Sequence, residues 1–109
     1  MSKRENALYI NDIIVAIDTI VGYVHTMSFS EFEDDKKSID AVVRNIEIIG
    51  EASTHISEDL KIQHPKIPWK KMISMRNKII HEYFGIDNEI LWETIQNDLP
   101  LLSEKVKQL

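Results

Sequence analysis

The chain has 109 residues, 43% of them apolar and 28% charged, with a net charge of −5 and no cysteine. That is the size of one domain with a single hydrophobic core. Disulfides, thiolate zinc sites and a cysteine nucleophile are excluded, and the overall charge taken alone argues against a general nucleic-acid binder.

The elements follow in chain order. The opening "MSKRENA" lacks the apolar core of a signal peptide, and no apolar run is expected to reach a membrane span, so the expected location is the cytoplasm. Residues 4–26 predict a helix, with Leu8, Ile13, Ile17, Ile20, Val21 and Val24 near a 3.6-residue period. "SFSE", Ser28 to Glu31, has the spacing of a capping box and predicts a short helix through "EFEDD". A second long helix is expected from Ile39 to Leu60, on Ile39, Val42, Val43, Ile46, Ile49 and Ile56. Whether it continues the short helix or kinks at residues 35–40 stays open. "QHPKIP" breaks the pattern, because a residue before proline disfavours the α region. Pro68 can then sit in the first turn of a helix expected to run from Trp69 to Phe84, with Gly85 at its C′ position. Asp87 or Asn88 caps a last helix striped by Ile90, Leu91, Ile95, Leu99, Leu102 and Val106, and Pro100 is a candidate kink. Gly and Pro total six, which favours long helices over many turns. The expected architecture is all-α: an antiparallel, up-down bundle of four to five helices forming one domain over residues 1–109.

Charge is unevenly spread. Leu60 to His81 contains no carboxylate and holds Lys61, Lys66, Lys70, Lys71, Arg76 and Lys78, six of the thirteen cations. Such a strip is either a solvated lysine face or a surface for phosphates, with Lys70, Lys71 and Lys78 as the RNA-contact candidates.

The helix expected over 69–84 carries the unusual chemistry. On a wheel, Arg76 points from the middle of the apolar arc, between Ile80, Ile73 and Phe84 on one side and Tyr83, Met72 and Ile79 on the other. A guanidinium stays charged, so it needs a partner there. Glu47 or Glu51 could pair with it, or it could face an anion. Asn77 and His81 lie four apart at the edge of the arc. Arginine binds phosphate in two-pronged fashion, and histidine transfers protons near neutral pH. Together they suffice to cut RNA without a protein nucleophile, because the ribose 2′-hydroxyl can attack. Each residue also has a plainer reading: a snorkelling arginine, a surface histidine, a core tyrosine, an interhelical asparagine bond. No metal site is expected, since His55 and His64 have no partner histidine. Gly22, Gly50 and Gly85 are isolated, so no phosphate-cradling loop is expected. Arg44, Glu47 and Glu51 fall at i, i+3 and i+7 on one side of their helix, as an intrahelical ion pair or as a lining for a cleft.

"RNKIIHEY" resembles the Arg-x4-His-x-Tyr motif of HEPN-domain toxins, the HepT-like ribonucleases. "AVVRNIEIIGEAS", "HPKIPWKKMISMRNKIIHEYFGID" and "LWETIQNDLP" resemble further blocks of that family, so the similarity spans nearly the whole chain. The resemblance implies a HEPN-like bundle that forms a homodimer, with Arg76 and His81 as the catalytic pair of a metal-independent endoribonuclease that carries no cofactor. Asn77, Arg44, Glu47 and Glu51 would orient the site. Tyr83 would be the target of a cognate nucleotidyltransferase antitoxin, which uses ATP to add AMP and silence the toxin. The competing reading is a non-catalytic helical adaptor for such a transferase, binding a nucleotide or nucleic acid. A third is a structural bundle in which Arg76 makes only an internal salt bridge.

Overall fold

The computed structural model describes residues 3–81 and 85–109, and of Lys3, Arg4 and His81 the backbone alone. The described chain is all-α apart from one very short ladder. Helix α1 is Lys3–Val24, α2 is Phe29–Glu33, α3 is Lys36–His55 and α4 is Glu58–Gln63. Helix α5 is Trp69–Ile79, and the two-residue strands β1, Ile80–His81, and β2, Gly85–Ile86, follow it. Helix α6, Asn88–Glu93, runs through a π-helical turn at Thr94–Asp98 into α7, Leu99–Val106.

The layering follows from the apolar stripes. Helix α1 packs along α3, α3 along α5, and α7 returns against α1. Ile13, Ile17 and Ile20 of α1, Val42, Ile46 and Ile49 of α3, Met72 and Ile79 of α5 and Leu99 of α7 close the core with almost no exposure. Phe32 of α2 is fully buried and packs its ring 5.2 Å from that of Trp92.

Local signals set most helix starts. Ser28 and Glu31 form the complete capping box. The Asp35 carboxylate accepts from the Ser38 N–H and caps α3, so α2 and α3 are separate helices. The Asp87 carboxylate caps α6 in the same way. Hydrogen bonds from Ser28 and from Ser38 hold the Glu31 and Asp35 carboxyls below their ordinary range. Both caps are therefore strongest above that range and weaken as pH falls through the lowered values.

Four expectations are corrected. The helix expected over 39–60 breaks at Ile56, whose backbone is extended. Ser57 starts α4 because its hydroxyl accepts from the Leu60 N–H, while the buried Asn6 side chain bonds both the Ser57 hydroxyl and its N–H. The helix expected over 69–84 ends at Ile79. There the Asp87 N–H reaches the Ile79 carbonyl at 2.8 Å, and Ile80 pairs with Ile86 and His81 with Gly85. Gly85 does take a positive φ of 75°, but inside this ladder rather than after a helix. In α1, Leu8 and Val21 are exposed, so the buried stripe is narrower than the apolar pattern. Finally, Glu5–Val24 is long and apolar enough to pass for a membrane span, with mean hydropathy 1.6, contrary to expectation. A core helix passes the same test, and α1 buries Ile13, Ala16, Ile17, Ile20 and Val24 against the bundle.

Pro100 does mark an irregularity, placed just upstream of it. Proline removes an N–H and its ring crowds the carbonyl four residues back. The helix widens before it, and the Leu99 N–H reaches the Thr94 carbonyl.

Candidate functional site

Helices α3 and α5 make the site because they approach closely at Gly50. A Cβ there would stand 3.3 Å from the Ile73 carbonyl oxygen and 3.4 Å from that of Met72. This glycine is used for packing space between two backbones, not for a phosphate loop. Alanine would gain up to about 1 kcal/mol of helix propensity and lose some of it to the tight contact. Valine has no such balance. We expect Gly50→Val to cost about 1–3 kcal/mol by pushing the helices apart, measured by urea unfolding, and a variant as stable as the parent would show that α3 and α5 can separate freely.

Above this contact lies an open cleft of about 410 Å³, lined by Arg44, Glu47, Glu51 and Thr54 of α3 and by Ile73 and Arg76 of α5. The α3 residues recur at steps of three and four, one helical face. Glu47 Oε1 lies 3.6 Å from Arg76 Nε, and the two side chains are 38% and 49% exposed. An ion pair this open contributes at most ~1 kcal/mol. Its consequence is orientation: Glu47 engages one edge of the guanidinium, which has five N–H donors. Arg44 makes no ion pair among the described residues, so the cleft holds a second available guanidinium.

Arg76 is at the rim of the buried stripe, not at its middle as the wheel predicts. The stripe of α5 is Trp69, Met72, Met75 and Ile79, and Ile73 on the Arg76 side is exposed. The helix ends at Ile79, so Ile80 does not extend the arc, and Tyr83 and Phe84 lie outside the described residues. The five-residue interval from Arg76 to His81 therefore crosses from helix to strand. The Ile80 N–H still bonds the Arg76 carbonyl, and His81 pairs with Gly85. The His81 side chain and all of Tyr83 lie outside the described residues.

Other candidates divide. Asn77, Lys70 and Lys78 are exposed on α5 and do not line the cleft. Lys71 is engaged by Asp98 at 3.1 Å, across to the π-helical turn. Two neighbours escaped the sequence reading, which weighed His55 only as a metal ligand. His55 Nε2 lies 3.0 Å from Glu51 Oε1 and the imidazole stacks on Tyr9, with ring centroids 5.2 Å apart. Thr54 lines the cleft and donates its hydroxyl to the Gly50 carbonyl. The i, i+4 spacing of Glu51 and His55 was the available signal. Among the described residues, no three His, Asp or Glu side chains form a metal-binding group.

A family model described as ribonuclease HepT-like matches residues 13–109. The chain is 46% identical to a protein of Thermococcus cleftensis that carries the name probable ribonuclease HepT, over 98% of this chain and 97% of that one. It is 37% identical to a candidate RNase of Methanocaldococcus jannaschii over 98% of both chains. It is 39% identical to another from Caldanaerobacter subterraneus, over 93% of this chain and 90% of the relative. No solved structure matches the chain.

Proposed function

This chain belongs to the ribonuclease HepT-like family, and from that premise we propose that it is a metal-independent endoribonuclease toxin acting through Arg76 and His81. The observation that carries the reading is Arg76 itself: a permanent cation at the rim of an open cleft, held by Glu47 on one edge and five residues before a histidine.

The chemistry requires few groups. The 2′-hydroxyl attacks the adjacent phosphorus and loses its proton. The P–O5′ bond breaks, and the leaving oxygen gains a proton. The products are a 2′,3′-cyclic phosphate and a 5′-hydroxyl. His81 moves the proton, and Arg76 stabilises the charge that builds on the phosphorane oxygens. Arg44 supplies a second cation in the same cleft, and Glu47 fixes the approach of Arg76. Lys70 and Lys78 lend positive potential around an acidic protein, while Lys71 is already engaged by Asp98.

The same reading includes a homodimer, which brings two such clefts together, and a cytoplasmic setting. A nucleotidyltransferase partner spends ATP to attach AMP to Tyr83, two residues beyond His81. The test uses unmodified protein, verified by intact mass, with bulk tRNA and a synthetic mRNA in EDTA. Cleavage that leaves cyclic phosphate ends is expected. A folded, unmodified protein that leaves both RNAs intact would return the chain to the adaptor reading.

A further inference from the structure

A second depression adjoins the cleft. It measures about 700 Å³, its floor is Pro65, Ile67, Pro68 and Trp69, and Lys61 and Lys70 stand on its walls. Ile73 lines both this shelf and the Arg76 cleft, so the two lie on either side of one side chain. Lys70, Ile73 and Arg76 follow one another at i, i+3 and i+6 on α5. Lys70 thus lies ~9 Å along the axis from Arg76, within reach of an adjoining nucleotide.

The shelf is built for an anion with flat apolar parts. Lys61, Lys70 and Lys71 line it, Lys71 being engaged by Asp98, and all of its lining except Glu58 falls within the strip from Leu60 to His81 that lacks acids. Lys61 lays its stem along the surface, with its side chain only 13% exposed and Nζ 3.8 Å from Glu58. Lys70 is exposed and makes no ion pair among the described residues. Trp69 is only 8% exposed and its indole N–H is tied to the His64 carbonyl at 3.1 Å, so it lies beneath the shelf and Pro65 and Pro68 supply most of the apolar surface above it. Single-stranded nucleic acids are held by flat, usually aromatic, surfaces under the bases and cations at the phosphates. Here the two prolines offer the flat apolar surface and Lys70 a cation free among the described residues.

We propose that this shelf is a subsite for single-stranded RNA, seating the nucleotide next to the scissile phosphate. A base lies over Pro65, Pro68 and the edge of Trp69, and the flanking phosphate meets Lys70. The proposal rests on the ribonuclease reading and adds to it a requirement: the substrate must be unpaired beside the cut and extend beyond the two nucleotides that are separated.

The test follows Trp69 fluorescence in the full chain carrying Trp92→Phe, so that Trp69 is the sole reporter. The probe is a 2′-O-methyl RNA decamer, which binds and cannot be cleaved. Saturable quenching is expected, with affinity falling ~10-fold or more in Lys70→Glu and a shallower salt dependence. Lys36→Glu, which makes the same charge change at the first residue of α3, outside the shelf and the cleft, is expected to bind as the parent does. A 2′-O-methyl dinucleotide is expected to quench little. If RNA is cleaved and the decamer binds, but Lys70→Glu matches Lys36→Glu, the shelf is not a subsite and the ribonuclease reading stands. If the protein neither cleaves nor binds RNA, both readings fall.

Discussion

Replacing His81 or Arg76 with alanine will reduce RNA cleavage by about three orders of magnitude, while leaving the helical content unchanged. The magnitude comes from the chemistry each group would supply. A positioned acid or base contributes ~10²–10⁴-fold. A donor aimed at developing charge contributes ~10²–10³-fold. Arg76 is half exposed and its ion pair with Glu47 is an open one, so removing it costs little stability. Arg76→Lys should recover only a small part of the rate, because an ammonium lacks the planar fork that grips a phosphate. Glu47→Gln keeps the shape and removes the charge that orients Arg76. It should fall between, about 10-fold slower with the loss mainly in kcat. Single-turnover cleavage in EDTA on unmodified protein measures all four variants. Full activity in His81→Ala would remove His81 from the mechanism and transfer attention to His55, which pairs with the cleft residue Glu51.

Attaching AMP to Tyr83 will abolish cleavage, and Tyr83→Phe will cleave normally and resist silencing. Tyr83 follows His81 by two residues, and the pairing of His81 with Gly85 brings the two ends of that short segment together. Along the chain, a group on Tyr83 would thus be carried two residues from His81, the proposed proton-transfer residue. AMP adds a phosphate charge that competes for Arg76 and bulk that fills the approach to the cleft. Intact mass after incubation with ATP and the partner transferase counts the added units, and the cleavage assay reads the effect. Adenylated protein that still cuts RNA at the parental rate would dissociate modification from inhibition. A silenced Tyr83→Phe variant carrying the same added mass would move the modified position elsewhere.

The residues of the cleft were legible to different degrees. Arg44, Glu47 and Glu51 could be grouped from their spacing, because residues three, four and seven apart share a helical face. Glu47 was one of two possible partners for Arg76, and the structure selects it. Gly50 gave no sign of its use. In the sequence it is an isolated glycine within a helix, a position that ordinarily costs stability. Only the backbone of Ile73, twenty-three residues later, explains why no side chain is present. The apolar run that reads as helix from Trp69 to Phe84 misled for a related reason. Ile79 and Ile80 suit a strand as well as a helix, and the competing hydrogen bond comes from Asp87, outside the run.

Local chemistry therefore determined what is short-range in this protein. The sequence by itself specified helices from their period, caps from Ser28 and from Asp87 or Asn88, the break at the prolines, a strip without acids, and the residue types able to cleave a phosphodiester. Tertiary structure decided where α5 stops, which carboxylate holds Arg76, how near α3 comes to α5, and that the lysine shelf and the arginine cleft lie on either side of Ile73. Each of those rests on a contact between segments far apart in the chain. Such contacts depend on how whole helix faces pack, and no window of neighbouring residues encodes that.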